Sequence, residues 1–489
     1  MAKRITSFMK ENSGKYFNSK DMIDFTGSYT DQYQLAMSLV YFKKDKAQER
    51  AVFDYFFREL PFDGGYAIFA GLEDLLDILE NLKFEKADLE LLDKYGFPED
   101  FLEYLDNFSF NGNIYSSKEG DIVFPTRPVL QVEANMVEAQ IIETLLLNVL
   151  NIQTLVATKA SRMRMMAGNR KLVDFGLRRA HGPGGYYASR AAVVGGFDAT
   201  SNVRAGRDYD IPISGTMAHS FVQSYDDELT AFRDFANVHP DDCVLLVDTY
   251  DTLKSGIPNA IKVGKEMEAR GEKLKGIRLD SGDLAYLAKE SRKSFDEAGL
   301  DYVKIAASNQ LDEHVIKSLL EQNAPIDLFG VGTSLVIGRP DAALDGVYKL
   351  AFAGGKPRIK LSENIGKITL PHKKQVYRIM DADGNWMGAD AVALADEKNF
   401  RQIHNPFQTG KSMSVENCKK EALLEMVMEN GRRIKNKRTL KEISSFRQNR
   451  LEKLPVEYKR FQNPHIYKIG ISDGLKEERD KLIDEYKKK

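Results

Sequence analysis

Cysteine is nearly absent from this chain: its 489 residues include only Cys243 and Cys418. Two isolated cysteines form neither a disulfide framework nor a paired metal-ligand spacing. We therefore expect a reducing, cytoplasmic setting. The first ten residues, Met1–Lys10, carry charge but have no apolar run behind them, so we do not expect a secretory signal.

Long apolar runs and an excess of one charge are also missing. Because no segment is long and apolar enough to cross a bilayer, we expect no membrane function. The 70 Lys and Arg residues nearly balance the 72 Asp and Glu residues, which argues against bulk binding of nucleic acid. The basic run at 432–438 is most simply a solvated face.

The remaining composition is that of a large globular protein. Hydrophobic residues make up 43% of the chain, which is enough for a sizeable core. The length predicts two to four domains, or one barrel with attachments.

From residue 172 onward, short apolar runs alternate with longer helical stretches, which indicates parallel strands joined by crossover helices. About eight such units recur without a clear reversal point, so a barrel is favoured over an open sheet. The catalytic residues of a barrel follow the carboxyl ends of its strands. The candidate strands begin near Val173, Val193, Pro212, Val244, Gly276, Val303, Asp327 and Val347.

The flanking regions mix helix and strand patterns. Residues 31–41 and 72–82 have helical patterns, residues 52–57 resemble a strand, and a hairpin is expected around the turn at 381–384. The predicted fold class is α/β: an irregular TIM-like β/α barrel with an additional α+β domain formed by the N- and C-terminal regions. The predicted domains are an N-terminal α+β domain at 1–130, the barrel at 131–355, and a C-terminal α+β region at 356–489 that packs with the N-terminal domain.

Two early strand ends carry residues suited to binding anions or small polar ligands. Arg178 and Arg179 can offer paired planar donors to phosphate or carboxylate, or can form a solvated charged pair. Ser201 lies in a segment of small and hydroxylated residues. Such a segment is suited to binding a small polar ligand, and equally to capping the start of a helix.

His219 follows a tight turn of small residues that includes Thr216. A lone histidine is more often an ordinary core or surface residue than a catalyst. Its place after a predicted strand favours a role as a base or a nucleophile.

Later strand ends add acids, an arginine and glycines. Asp280 and Asp283 are suited to binding magnesium or steadying a cationic transition state, and Arg278 to holding an anion, although the same segment is good turn chemistry. Gly332 and Thr333 suit phosphate binding through backbone N–H groups in a late barrel loop.

Taken together, seven segments in the same order resemble the nicotinate phosphoribosyltransferase family, a type II phosphoribosyltransferase family, and the resemblance covers nearly the whole chain. They are Thr30–Gln34, Phe175–Arg179, Gly215–Ser220, Arg278–Asp283, Phe329–Ser334, Lys360–Glu363 and Lys374–Arg378. The resemblance implies a reaction of NAD biosynthesis. Nicotinate joins 5-phosphoribosyl 1-diphosphate to give nicotinate mononucleotide and diphosphate, while ATP is hydrolysed through a phosphohistidine.

The resemblance also implies roles for individual residues. The phosphohistidine is expected at His219, and the nicotinate carboxylate at Arg278. Phe175 and Tyr33 are expected to stack on the two faces of the ring, with Tyr33 supplied by the second subunit of a homodimer with shared active sites. The other implied positions are Arg178, Ser201 and Thr216 in the substrate pocket, Gly332 and Thr333 at the 5-phosphate, and Asp280 and Asp283 near the ribose and Mg²⁺.

Three alternatives stay open. Nicotinamide phosphoribosyltransferase carries an aspartate where Ser201 stands here, so nicotinate is the favoured substrate. A catalytically inactive relative used as a binding protein is disfavoured by the intact His219 and Arg278. An unrelated sugar-phosphate barrel enzyme is the third alternative.

Overall fold

The computed structural model describes residues 25–363, 365–408 and 410–488, so the predicted absence of a signal at Met1–Lys10 lies outside the described residues. The chain divides into an outer unit, Met1–Thr154 with Leu344–Lys489, and a central unit, Leu155–Ala343. These two units meet at 154/155 and 343/344, whereas the domain boundaries predicted from the sequence are at 130/131 and 355/356.

The N-terminal part of the outer unit mixes short strands with helices. Asn135 caps the N-terminus of its helix α5, because the Asn135 side chain accepts a hydrogen bond from the Glu138 backbone N–H. The strands are β1 Arg50–Phe57, β2 Ala67–Ile68, β3 Asn113–Ser116, β4 Ile122–Val123 and β5 Leu130–Asn135. The helices are α1 Gln32–Lys43, α2 Leu72–Leu79, α3 Lys86–Lys94, α4 Glu99–Asp106, α5 Met136–Ile141 and α6 Glu143–Ala167, which continues into the central unit.

The central unit alternates strands and helices, and aspartate side chains cap three of its helices. The strands are β6 Lys171–Asp174, β7 Ala199–Thr200, β8 Val244–Leu246, β9 Gly276–Leu279, β10 Lys304–Ser308 and β11 Leu328–Val331. The helices are α7 Gly184–Gly195, α8 Val203–Tyr209, α9 His219–Gln223, α10 Glu228–Val238, α11 Ile257–Ala269, α12 Leu284–Glu297, α13 Glu313–Glu321 and α14 Thr333–Val336.

The C-terminal part of the outer unit is mostly strand and ends in helix. The predicted hairpin is confirmed, since β14 and β15 pair antiparallel around residues 381–385. The strands are β12 Gly346–Ala353, β13 Lys356–Pro357, β14 Lys374–Met380, β15 Trp386–Leu394, β16 Gln402–His404, β17 Ser412–Ser414, β18 Lys419–Ala422, β19 Glu425–Glu429, β20 Arg432–Arg433 and β21 Lys468–Ser472. The helices are α15 Leu440–Lys453 and α16 Asp473–Lys487.

One sheet joins the two ends of the chain within the outer unit. Its strand order is β13-β12-β1-β5-β3-β19-β20, and neighbouring strands run antiparallel. Because β5 and β12 both pair with β1, these strands belong to the outer unit rather than to the predicted barrel at 131–355. A second, mixed sheet has the order β17-β16-β21-β15-β14-β18.

The central unit contains a six-stranded parallel sheet in the order β7-β6-β11-β10-β9-β8. The first strand of the unit, β6, therefore pairs with the last, β11. Within the described residues, β7 and β8 are the two edges, and only an isolated bridge from Thr200 to Ile213 extends the β7 edge.

Two of the eight predicted strands are wrong, and a third forms but joins a different sheet. Val193 lies inside the helix α7, which ends at Gly196 with a φ of 112°. The strand near Pro212 is reduced to the single bridge at Ile213. Val347 begins a strand, β12, but this strand pairs antiparallel with β1 in the outer unit. The local apolar pattern does not record which distant strand a segment pairs with.

The basic run at 432–438 is not a simple solvated face. The Arg433 side chain is only 11% exposed, and it pairs with Glu73 and Asp77 of α2. Lys437 also pairs with Asp77. These two acids neutralise part of the charge of the run. Within the part of the chain that the structure describes, no helix combines the length and apolar character needed to span a membrane.

Candidate active site

His219 stands at the first residue of α9, with its side chain 38% exposed. Its Nδ1 lies 3.1 Å from the Thr249 hydroxyl oxygen. Its Nε2 lies 3.9 Å from Asp248 Oδ1 and 3.9 Å from Asp280 Oδ2. The imidazole is thus open to a ligand and has a hydroxyl on one nitrogen and two carboxylates opposite the other.

Asp248 was not among the predicted site residues, although it follows β8 at the edge where a catalytic residue is expected. Its Oδ2 accepts hydrogen bonds from the Asp280 backbone N–H at 2.8 Å and from the Ser281 hydroxyl at 2.7 Å. Its buried Oδ1 has no hydrogen-bond partner in the described structure. The side chain is 1% exposed, so this oxygen is directed toward His219 without compensation from bulk water.

The loop after β8 is held by a single turn of π-helix at Thr252–Gly256. The Asp251 side chain caps this turn, and its bond from the Lys254 backbone N–H is the main cause that lowers the pKa of Asp251. A Cβ on Gly256 would lie 1.8 Å from the Val247 carbonyl oxygen, so only glycine permits this close approach. The packing fixes the segment that carries Asp248 and Thr249.

Arg278 and Thr216, two predicted site residues, are in direct contact. Arg278 lies on β9, and its Nη1 donates a hydrogen bond to the Thr216 hydroxyl. Burial lowers the pKa of Arg278, Asp280 and Asp248 oppose that shift, and the nearby Arg178 adds to it. The buried Nε has no hydrogen-bond partner among the described residues, so this guanidinium retains donor capacity for an anionic ligand.

The structure separates the two predicted acids, Asp280 and Asp283. Asp280 accepts a hydrogen bond from the Ser308 hydroxyl and faces His219. Asp283 is exposed and caps α12 by accepting the Tyr286 backbone N–H at 3.0 Å. No group of three or more His, Cys, Asp or Glu residues within the described chain is arranged to hold a metal ion.

Asp174 organises the loops that follow β6 and β7. This buried carboxylate accepts hydrogen bonds from the Ser189 hydroxyl at 2.7 Å, the Thr200 hydroxyl at 2.8 Å and the Gly176 backbone N–H at 2.7 Å. Burial raises the pKa of Asp174 against the effect of these bonds. Ser201 is half-buried, and its backbone N–H donates to the Asp174 carbonyl at 2.8 Å.

Phe175 and the late glycine segment pack against each other. The ring of Phe175 lies over Gly330, where an added Cβ would come within 2.3 Å of the ring. A Cβ on Gly332 would lie 3.4 Å from the Phe175 carbonyl oxygen and 3.9 Å from Arg179 Cγ. Thr333 is exposed and begins α14. The structure thus brings Phe175, Arg179, Gly332 and Thr333 together.

Tyr33 belongs to the outer unit, on α1, and is 50% exposed. Partial burial raises the pKa of its hydroxyl, and the nearby Glu143 and Asp31 raise it further.

The central unit therefore presents one cluster at the carboxyl edge of its parallel sheet. An accessible histidine faces two carboxylates, and the half-buried Arg278 has a buried Nε with no hydrogen-bond partner among the described residues. This arrangement is typical of an enzyme that acts on an anionic substrate.

Three family models match the chain in order. The model of the nicotinate phosphoribosyltransferase N-terminal domain matches residues 29–151, the model of the nicotinate phosphoribosyltransferase family matches 170–410, and that of the C-terminal domain matches 373–479.

Individual proteins agree with these matches. A nicotinate phosphoribosyltransferase of Bacillus subtilis is 46% identical over 475 residues, which cover 95% of this chain and 96% of the relative. One from Caenorhabditis elegans is 36% identical and covers 95% and 94%. The crystal structure of human nicotinic acid phosphoribosyltransferase superposes with a TM-score of 0.84 and 31% identity, covering 93% of this chain and 99% of that one.

The chain belongs to the nicotinate phosphoribosyltransferase family, a family of enzymes. The resemblance inferred from the sequence is confirmed.

Proposed function

We propose that this enzyme joins nicotinate to 5-phosphoribosyl 1-diphosphate, giving nicotinate mononucleotide and diphosphate for NAD biosynthesis. ATP is hydrolysed alongside to ADP and phosphate, through phosphorylation of His219. The observation that carries the proposal is the position of His219, 3.9 Å from each of two carboxylates that also act on Arg278, a half-buried arginine with a buried, unpaired Nε in the described structure. The names of the relatives support the same reaction.

The nicotinate end of the site is proposed around Arg278. A guanidinium can bind the nicotinate carboxylate with two parallel hydrogen bonds, and Arg178 adds positive charge nearby. Phe175 stacks on one face of the pyridine ring, and Tyr33 of a second subunit stacks on the other. The uncharged Ser201 tolerates the carboxylate, whereas an aspartate there would repel it.

The phosphate end is proposed at Gly332 and Thr333. Gly332 has no side chain to block an approaching phosphate, and the stem of Arg179 passes nearby. The Arg179 guanidinium can offer planar paired donors and a positive charge to a phosphate bound there.

Displacement at the ribose carbon builds positive charge on the sugar while diphosphate leaves. The carboxylates of Asp248 and Asp280 favour that charge, and the pyridine nitrogen needs mainly to be held in position. Mg²⁺ is proposed to enter with the substrate phosphates, because it commonly takes one or two carboxylates together with phosphate oxygens. Asp283 contributes by holding the start of α12.

We further propose that the parallel sheet is the wall of an irregular TIM-like barrel. The pairing of β6 with β11 and the bridge at Ile213 support a sheet that curves round on itself. The enzyme is proposed to be a cytoplasmic homodimer with shared active sites.

An assay for nicotinate mononucleotide, with and without ATP, tests the proposed reaction. For His219→Ala we expect loss of the ATP-dependent acceleration, with some ATP-independent transfer remaining, because His219 carries the phosphoryl group. His239→Ala is the matched control, since His239 is an exposed histidine at the end of α10.

Three outcomes would contradict the proposal. Normal ATP hydrolysis by the His219 variant would exclude this residue as the phosphoryl acceptor. Preferential use of nicotinamide would assign the related amide-specific reaction. Nicotinate binding without any product would indicate an inactive relative.

A further inference from the structure

Thr249 forms a side-chain hydrogen bond with the His219 ring. Its hydroxyl oxygen lies 3.1 Å from Nδ1. Thr249 directly follows Asp248 on the loop that Gly256 packs against the end of β8. The backbone that carries this hydroxyl is therefore held in place by the packing of Gly256.

The groups around His219 determine which ring nitrogen carries the proton. Asp248 Oδ1 and Asp280 Oδ2 face Nε2, and an ionised carboxylate can only accept a hydrogen bond. The proton of a neutral imidazole therefore belongs on Nε2. Nδ1 then has a free lone pair, to which the Thr249 hydroxyl donates.

The charges of the two carboxylates also favour Nδ1 as the nitrogen that carries the phosphoryl group. A phosphoryl group attached to Nε2 would stand beside two carboxylates, and like charges repel strongly at such distances. A phosphoryl group on Nδ1 would lie on the opposite side of the ring. Nδ1, which is unprotonated and lies away from the carboxylates, is thus the better placed nitrogen to attack a phosphorus atom and to carry the phosphoryl group.

We propose that Thr249 is a positioning residue that orients His219 so that Nδ1 accepts the phosphoryl group of ATP. This inference rests on the proposed function. The Nδ1 lone pair forms a bond to the γ-phosphorus while the bond from that phosphorus to the β,γ-bridging oxygen breaks, and ADP leaves with the electron pair. Nε2 keeps its proton, and the two carboxylates balance the positive charge of the ring. The Thr249 hydroxyl turns away from Nδ1 as the bond forms and donates to a phosphoryl oxygen.

Two substitutions test the role of the hydroxyl. Thr249→Val keeps the shape of the side chain and removes the hydroxyl, whereas Thr249→Ser keeps the hydroxyl. Folding of both variants is checked by circular dichroism and thermal unfolding. With radiolabelled ATP, we expect phosphoenzyme to form about fivefold to tenfold more slowly in Thr249→Val, as loss of one hydrogen bond predicts, and near the wild-type rate in Thr249→Ser.

The position of the phosphoryl group is the second measurement. Alkaline hydrolysis of the phosphoenzyme followed by chromatography separates the two phosphohistidine isomers. We expect the Nδ1 isomer from the wild type and from Thr249→Ser, and a mixture containing the Nε2 isomer from Thr249→Val. A merely structural role for Thr249 would not change the isomer.

Several results would overturn the inference. These are an Nε2 isomer from the wild type, wild-type behaviour of Thr249→Val in both measurements, or no phosphoenzyme at all. Nicotinate mononucleotide formation is followed in the same samples. A wild-type enzyme that makes this product but carries phosphate on Nε2 refutes the role of Thr249 alone, whereas absence of the product refutes the proposed reaction.

Discussion

The ring of Phe175 lies directly over Gly330, and this contact lets a single methyl group test the nicotinate pocket. In Gly330→Ala the new Cβ would stand 2.3 and 2.4 Å from two ring atoms of Phe175, well inside van der Waals contact. The ring must therefore turn away from its position. The backbone hydrogen bond from Phe175 N–H to the Val331 carbonyl, at 2.8 Å, holds the main chain in place, so the displacement falls mainly on the ring.

The size of the effect follows from what the ring contributes. Well-placed aromatic pairs are worth about 0.5–1.5 kcal/mol beyond the area they bury. Loss of such a stack on nicotinate raises its KM by roughly twofold to twelvefold, because 1.36 kcal/mol corresponds to a factor of ten. The KM for 5-phosphoribosyl 1-diphosphate should change less, since the substitution does not touch Gly332.

Steady-state kinetics with each substrate varied in turn measures this difference. Gly184→Ala is the matched control, because a Cβ on Gly184 would meet nothing within 4 Å. The reasoning is refuted if Gly330→Ala leaves the nicotinate KM unchanged while thermal unfolding shows an intact fold. It is equally refuted if both substrates are affected alike.

Three other substitutions examine selectivity, acid stability and loop packing. Ser201→Asp should weaken nicotinate about tenfold or more relative to nicotinamide through like-charge repulsion, and unchanged selectivity in competition binding would remove Ser201 from the pocket. Burial raises the pKa of Glu313, but the charges and hydrogen bonds of Lys159 and Arg162 outweigh burial and lower this pKa overall. The pairing therefore stabilises the fold above the unfolded pKa of about 4.3, and this stabilisation is lost as pH falls through the folded pKa. Glu313→Gln should therefore reduce the free energy of unfolding at pH 7 by about 3–5 kcal/mol, measured by urea denaturation. This deficit should stay constant down to about pH 4.3 and shrink below it, and a deficit that stays constant below that pH would contradict the linkage. Gly256→Ala should destabilise the central unit by about 1–3 kcal/mol because its Cβ meets the backbone of Val247, and wild-type thermal unfolding would disprove that contact.

Local sequence patterns were sufficient for much of the central unit. Five predicted strand starts, near Val173, Val244, Gly276, Val303 and Asp327, coincide with β6, β8, β9, β10 and β11. Each is a short apolar run bounded by turn residues, and such runs mark buried parallel strands. The rule that functional residues follow strand ends then pointed to Asp280, directly after β9, whereas His219 follows only the isolated bridge at Ile213.

What the sequence could not supply depends on distant partners. Val347 begins a strand whose apolar pattern is the same whether it joins a barrel or pairs with β1. Asp280 and Asp283 both follow β9, yet one faces His219 and the other caps a helix. Asp248 is not part of any of the seven segments that carry the family resemblance. Only its position 3.9 Å from the His219 ring distinguishes it from an ordinary loop acid.

Buried ion pairs join the two ends of the chain within the outer unit. Arg378 and Arg450, from the C-terminal part, both pair with the buried Asp121 of the N-terminal part. Arg127, from the N-terminal part, pairs with the fully buried Asp390 of β15. Burying an ion without its partner is far more costly than burying the pair, so neither part can keep these charges in its core alone. The C-terminal region is therefore an integral half of the outer core, joined to the N-terminal half by these ion pairs and by the pairing of β19 with β3.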